Sequence, residues 1–550
     1  MVAATIICLA PPSFARNAVV SDSVIASDVG AAVMRAGGNA VDGAVATAFA
    51  LSVTLPSAGN LGGGGFAVVA GPGVRPAALD FRERAPRLAR ANMYMLPDGT
   101  TSADSQRGLR AAGVPGSVAG LHALHVKYGK LPWKSVVEPA IRLARDGFVV
   151  PEGLARSVQG SRALLARFST SRNVFAPGGS WIASGTRWQQ LDLANTLVRI
   201  RDRGPDGFYR GDTAERIERT MQREGGLIRK ADLAAYRVKW RTPLRGTYRD
   251  YTVVTMPPPS SGGVALLQML EMLRSLPIPP RGTEQEVHVL AEVMKRAFCD
   301  RAAALGDPDY AKIPTSELLQ PKYVQSLAAT IQERATPATE IQSIFLPRSA
   351  AFRTRKESKD TTHLSVMDSN GWAVALTTTI NNSYGAGVVA EGLGFLWNNE
   401  MDDFTVNPGK PNGYGLIQSE NNAIHPGKTP LSSMTPTLLI RDGRVRWVLG
   451  SPGGPTIINT VLQTVRNLVD YGMPVDEAVR RARMHHQWLP DRIDLERNGW
   501  STEVLEQVKQ RGHTVQERSR MGSCHALELR DGRIWVGQDP RLSTSGNAGE

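Results

Sequence analysis

Cysteine is scarce: three residues in 550, Cys8, Cys299 and Cys524, odd in number and far apart. That spacing is neither a disulfide framework nor a metal-ligand pattern, so packing has to hold the fold together. Histidine is sparse as well, nine in all, and the pairs His485-His486 and Cys524-His525 are direct neighbours in sequence. Neighbours on a strand face opposite sides, which speaks against a thiol–imidazole couple, and neither pair has the spacing of a zinc site. No metal and no cofactor is implied. Long hydrophobic runs are missing too, since the apolar stretch Ala44–Val53 is too short to span a bilayer. The chain has no Walker loop, no zinc-finger spacing and no aromatic RNP-like segment beside its 64 Lys and Arg against 51 Asp and Glu. The net charge of +13 therefore reads as a solvated basic surface and not as a nucleic-acid site.

What is present is ordinary for a globular protein, with 42% hydrophobic and 21% charged residues. Residues 2–10 are mostly apolar and Ser13-Phe14-Ala15 carries small residues where a signal peptidase reads, but no basic segment precedes them. Residues 1–15 are read as a truncated export signal, which predicts a periplasmic or secreted protein. Val19–Val53 is helix-like, broken at Gly37-Gly38-Asn39, and leads through Gly59-Asn60-Leu61 into four glycines, Gly62 to Gly65. Such a run signals close backbone approach. It follows a helix and precedes the strand-like Phe66–Ala70, the reverse of a dinucleotide fingerprint.

Strands are expected near Tyr251–Thr255, His363–Met367, Trp372–Ile380, Thr437–Ile440 and Val445–Leu449, and helices at Ala119–Val126, Val264–Leu273 and Glu286–Cys299. The charged stretch 353–360 has no apolar period and reads as an exposed loop that stops at Thr361. Val406–Lys428, rich in Asn, Gly, Pro and Lys, reads as a mobile surface segment.

Thr361 opens a hairpin: a strand, the turn Ser369-Asn370-Gly371, and a second strand. A two-residue loop places Ile380 opposite Thr361, whereas a three-residue or bulged loop places Thr379 or Asn381 there. A threonine hydroxyl needs a base to become a nucleophile. A free α-amine, with a pKa of about 7.7 to 8.0, is well matched to that task, while an amide nitrogen is not. If Thr361 is the nucleophile, breaking the Asp360–Thr361 bond creates the base and opens the site together. Alone, the Thr361-Thr362 pair reads as the start of a strand.

The run Asp360-Thr361-Thr362-His363-Leu364-Ser365-Val366 resembles the processing site of the gamma-glutamyltranspeptidase family, members of the N-terminal-nucleophile hydrolases. Further markers follow in family order: Asp80-Phe81-Arg82-Glu83, Pro257 to Gly263, Asn398 to Phe404, Pro430 to Met434, Gly450 to Gly454, and Gln538-Asp539-Pro540-Arg541. The likeness runs from about Val19 to this last motif. It implies an α+β fold, a four-layer αββα sandwich, with a large subunit (16–360) and a small catalytic subunit (361–550) forming a heterodimer from one precursor. It also implies that Thr361 attacks a γ-carbonyl, that Thr379 hydrogen-bonds the nucleophile, and that the amides of Gly453 and Gly454 form the oxyanion hole. Arg82, Ser432 and Ser433 match the positions that bind a donor α-carboxylate; Asn381, Glu400 and Asp403 match those that bind its α-ammonium. Tyr414 matches the gating tyrosine of a lid. The implied donors are glutathione-like γ-glutamyl compounds, and the acceptors are water, amino acids or dipeptides. Two alternatives differ in kind: a cephalosporin or glutaryl acylase of the same fold, and an uncleaved relative acting as a binding or scaffold protein.

Overall fold

The computed structural model describes residues 14–345, 361–406, 419–542 and 544–549. Cys8, the charged loop 353–360 with Asp360, and the part of the lid segment that includes Tyr414 lie outside the described residues.

The hairpin that begins at Thr361 organises the fold. Its strands, Thr362–Met367 and Ala373–Thr379, are antiparallel with Thr362 opposite Thr378 and Met367 opposite Ala373. Asp368 and Trp372 are still joined, by a 3.0 Å amide-to-carbonyl bond, so the loop proper is the three residues Ser369-Asn370-Gly371. Of the loops open to this sequence the three-residue form is the one found, and the two-residue register is not. The physical cause is Asp368, whose Oδ1 accepts from the amides of Asn370 and Trp372 and draws the turn around itself, with Gly371 at φ +89° closing it. The other carboxylate oxygen, Oδ2, accepts from the amide of Ala40 at the start of the helix Ala40–Thr54.

Two seven-stranded antiparallel sheets are built around this hairpin. Across the first the order is Gly546–Gly549, Ala18–Ser21, Thr362–Met367, Ala373–Thr379, Gly64–Gly71, Val74–Asp80 and Lys239–Arg241. Across the second it is Phe14–Ala15, Arg533–Gly537, His525–Arg530, Arg444–Gly450, Thr437–Arg441, Tyr251–Thr255 and Leu244–Tyr248. Phe14 and Ala15, the last two residues of the expected signal segment, pair with Trp535 and Ile534. Both sheets pair strands from before position 360 with strands from after it, so neither half builds a whole sheet alone.

Alternation sorts the side chains into layers. Val20, Val68, Ala70, Met367, Ala373 and Ala375 of the first sheet meet Val254, Leu438, Val448 and Leu527 of the second in the inner core. The opposite face of the first sheet, with Val19, Val69, Leu364, Val366 and Leu376, packs on the helices Val24–Arg35, Ala40–Thr54 and their neighbours. The outer face of the second, with Val253, Leu439, Trp447 and Leu449, packs on Gly262–Arg274, Glu284–Ala304 and Thr456–Val469. Helices, sheet, sheet and helices give the expected α+β sandwich of four layers. The break at residues 36–39 separates the first two helices; Asn39 and Asp42 form a reciprocal capping box at the start of the second.

Close approach explains the glycine run. A Cβ at Gly62 would lie 2.2 Å from the carbonyl oxygen of Leu396, at Gly63 2.1 Å from that of Thr379, and at Gly65 2.4 Å from that of Thr377. The strand beside the Ala373–Thr379 strand can therefore carry no side chain there.

Because residues alternate, His363 and Ser365 share the inner face with Met367. The buried His363 ring bonds Thr377 Oγ1 at 2.8 Å and Ser365 Oγ at 3.0 Å, and burial next to His525 holds its pKa well below the usual value. The second sheet leaves room for that ring at Gly450, where a Cβ would stand 2.3 to 2.7 Å from the imidazole atoms. Gly450→Ala is expected to destabilise the protein by roughly 1 to 3 kcal/mol through overpacking, read as a lowered midpoint of thermal unfolding. An unchanged midpoint would mean that the ring moves aside without strain.

Candidate active site

Thr361 lies at the start of the hairpin strand, and extending the ladder by one step sets it opposite Thr379. The Thr361 Oγ1 hydroxyl donates to Thr379 Oγ1 at 3.4 Å, a long bond, and Thr379 Oγ1 also accepts from the Asn381 amide at 2.8 Å. Asn381 turns the chain at φ +72°, and its Nδ2 donates to the carbonyl of Asn399. That contact docks the end of the hairpin on the segment Asn398–Asp403. Asn398 in turn is pinned on both sides: Nδ2 donates to the carbonyls of Gly62 and Gly113, and Oδ1 accepts from the amides of Gly113 and Glu400. A short 3-10 turn, Glu400–Asp403, then directs both acids inward.

Arg82 meets them from the chain just past the strand Val74–Asp80. It is 1% exposed. Its Nη1 pairs with Glu400, its Nη2 lies 2.6 Å from Asp403 Oδ2, and Glu83 is 3.7 Å away. Burial raises the Glu400 carboxyl to about 8, with Glu83 adding to the effect and Arg82 opposing it. Burial likewise pushes Asp403 and Glu83 up to about 7. For Arg82, burial favours the neutral form, but Glu400, Asp403 and Glu83 outweigh it and raise the guanidinium above its ordinary value.

Ser432 and Ser433 come from a loop laced to the segment before the helix Gly262–Arg274. The amide and hydroxyl of Ser261 both donate to the Ser432 carbonyl at 2.7 Å, and Ser260 Oγ donates to the Met434 carbonyl. Ser433 Oγ accepts from Arg301 Nη2 at 3.3 Å. Gly453 and Gly454 lie between the strand Arg444–Gly450 and the helix Thr456–Val469, with φ +130° and +56°. Left-handed φ at consecutive positions suits glycine, and at the head of a helix backbone N–H groups are left free to meet an anion.

A small pocket gathers these groups: Thr361, Thr379, Asn381, Arg82, Glu400, Asp403, Ser432, Ser433 and Gly454 all line it. Nine of the sequence-derived site residues are thus brought together. Gly453 sits one residue behind the lining, while Asp360 and Tyr414 lie outside the described residues. Arg82 faces the two acids more closely than the two serines, so its first partners here are Glu400 and Asp403.

Two charged residues of the site were not anticipated. Glu83 stands inside the Asp80-to-Glu83 motif but received no role. Arg301 lines the pocket from the last turn of the helix Glu284–Ala304, past the point where the sequence reading ended that helix at Cys299.

His485 bonds Asn459 and Gln487, His486 faces Asp491, and His525 Nε2 lies 2.6 Å from Asp22 Oδ1. Asp22 Oδ2 also accepts from Thr362 Oγ1 at 2.7 Å, tying the strand Thr362–Met367 to the second sheet through His525. Among the described residues, His288, Glu292 and His513 alone form a cluster of metal-ligand types. There Glu292 is paired with Lys295 and Arg296, and the two imidazoles bond each other at 2.9 Å.

The sequence profile of the family described as Gamma-glutamyltranspeptidase matches residues 26–548. A protein of Escherichia coli (strain K12) named glutathione hydrolase proenzyme is 43% identical over 535 residues, 96% of this chain and 90% of its own. The crystal structure of a cephalosporin acylase from Bacillus halodurans superposes with a TM-score of 0.87 at 25% identity, covering 100% of this chain and 98% of that one. That of Helicobacter pylori gamma-glutamyltranspeptidase does so with a TM-score of 0.58 at 39% identity, over 61% of this chain and 97% of that one. With the family profile matched over residues 26–548 and a 43% identical relative covered over 90% of its length, the chain belongs to the gamma-glutamyltranspeptidase family.

Proposed function

We propose that this protein is a self-processing γ-glutamyltransferase and glutathione hydrolase whose nucleophile is Thr361. The observation that carries the reading is the shared pocket: a threonine at a strand start, hydroxyl to hydroxyl with Thr379, beside a buried cluster of one guanidinium and two carboxyls.

The precursor is cut between Asp360 and Thr361, giving a large chain up to residue 360 and a small chain from 361 that stay together as a heterodimer. The interleaved strands support this, because separating the halves would unpair both sheets. So does the Helicobacter pylori chain, which is matched almost completely by 61% of this one. Export to the periplasm or medium is proposed on the apolar start of the sequence. No helix of the described residues is long and apolar enough to cross a membrane.

In the proposed reaction the Thr361 α-amine takes the hydroxyl proton as Oγ1 attacks the γ-carbonyl carbon. The carbonyl oxygen gains the electron pair and is met by the N–H groups of Gly453 and Gly454, each such donor contributing roughly 2.7 to 4 kcal/mol. Collapse expels the amine, which leaves with the proton held by the α-amine. Water or an acceptor amine, deprotonated by the same base, then cleaves the ester and frees Thr361. Thr379 orients the hydroxyl. Arg82, Ser432 and Ser433 receive the α-carboxylate, and Asn381, Glu400 and Asp403 the α-ammonium; Tyr414 is assigned to the lid.

An acylase of the same fold would need to hold an acyl group without the amino-acid end. The three buried carboxyls of Glu83, Glu400 and Asp403 around Arg82 favour a donor that brings its own cation.

The direct test is release of nitroaniline from γ-glutamyl-p-nitroanilide, with glycylglycine increasing the rate. Thr361→Ala is expected to stay a single full-length chain and to lose activity by a factor of about 10⁴ or more, as when a nucleophile is removed; two-chain maturation in that variant would remove Thr361 from the mechanism. pH offers a second check. The carboxyls at about 7 and 8 bind the donor ammonium only when ionised, so kcat/KM falls as pH drops through that window. The α-amine, neutral above about 8, loses activity in the same direction, making the acid limb steep. Glu400→Gln removes one ionisation, so its limb should be shallower, with a raised KM. An identical limb would show that Glu400 does not titrate there.

A further inference from the structure

Arg301 holds a second guanidinium against the pocket, and it is built into the serine loops. It lies in the last turn of the 21-residue helix Glu284–Ala304 and is 2% exposed. Its Nε donates to Ser261 Oγ at 2.8 Å and its Nη2 to Ser433 Oγ at 3.3 Å. Nη1 has no hydrogen-bond partner although it is buried. Burial draws the group down to about 10, with Asp403 pulling the other way, so it remains a cation at neutral pH.

A buried guanidinium with two nitrogens fixed and the third unpaired is unfavourable unless something fills the vacant direction. The neighbour best placed to do so is the pocket itself, which Arg301 lines together with Ser432 and Ser433. Arg82 is differently occupied: both of its terminal nitrogens already face carboxyls, Nη1 toward Glu400 and Nη2 toward Asp403. A zwitterionic ligand would then find its two charges answered on two sides. Its ammonium is matched by the acids around Arg82, and its carboxylate by the serines and the free edge of Arg301.

We infer that Arg301 is a donor-specificity residue, whose Nη1 binds the α-carboxylate of the γ-glutamyl group while Nε and Nη2 hold Ser261 and Ser433 in place. This rests on the γ-glutamyl reading above, and it adds a cation to the carboxylate side of the site. The bound carboxylate gains a charge-assisted hydrogen bond from a side chain already immobilised, so little ordering opposes it.

The experiment compares two donors that differ in one group: γ-glutamyl-p-nitroanilide and γ-aminobutyryl-p-nitroanilide, which lacks the α-carboxylate. For Arg301→Gln the ratio of kcat/KM between the two donors should fall about tenfold or more, chiefly through a higher KM for the γ-glutamyl compound, as expected for a lost hydrogen bond to a charged group. Arg301→Lys keeps the charge without the fork and should recover part of the ratio. A residue that serves only the fold, and not the carboxylate side of the pocket, would lower both donors in parallel, and a ratio equal to that of the unaltered enzyme overturns the assignment. Should the glutamine variant not mature into two chains, the lysine variant decides by the same ratio: several-fold lower supports the assignment, unchanged refutes it. If the unaltered enzyme releases nothing from γ-glutamyl-p-nitroanilide, the fault lies with the γ-glutamyl reading and not with Arg301.

Discussion

One antiparallel register, with Thr361 across from Thr379, is what the remainder of the site depends on. It follows from the pairing of Thr362 with Thr378, which Asp368 enforces at the far end by gathering the turn amides onto its carboxylate. A slip of one residue would turn every side chain of the strand to the other layer. Thr361 would then point away from Thr379 and toward the helices, and His363 would leave the space that Gly450 keeps open. The glycines before Phe66 serve the same register from the neighbouring strand, since they let it run close against the carbonyls of Thr377 and Thr379. Local chemistry at a turn thus reaches the Thr361 hydroxyl along the length of the hairpin.

Charge is the second constraint. Arg82 lies among Glu83, Glu400 and Asp403 with almost no access to solvent. Three ionised carboxylates around one guanidinium would leave net negative charge in a dry site, and burial answers by raising their affinity for protons. In the proposed function an incoming ammonium replaces those protons with a fixed cation. On that reading, affinity for an amino-acid end is a property of the pocket's charge imbalance, and the same imbalance makes the site sensitive to pH. Arg301 also lines the pocket, with Nη1 buried and without a hydrogen-bond partner, which is the direction assigned above to the donor carboxylate.

Much of this was legible in the sequence because it is carried by local signals. The strand at Tyr251–Thr255, the strands flanking Asn370-Gly371 and the helix break at Gly37-Gly38-Asn39 all follow from alternation, turn residues and caps. The order of the family motifs brought nine site residues to one pocket. The register was not legible, because both loop lengths satisfy Ser369-Asn370-Gly371 and the choice is made by the side chain of Asp368 together with its contact to Ala40. Glu83 and Arg301 escaped for a related reason: their importance comes from what tertiary packing sets beside them. Arg301 reads as the end of a helix until Ser261 and Ser433, 40 residues before it and 132 after it, close on two of its nitrogens.

The catalytic account stands on an amine that exists only after the chain is cut. Intact-mass measurement of the active enzyme tests this most directly. Two chains are predicted, the smaller one starting at Thr361, with activity rising in proportion to their formation. Full turnover from protein in which residues 360 and 361 are still joined would contradict the account.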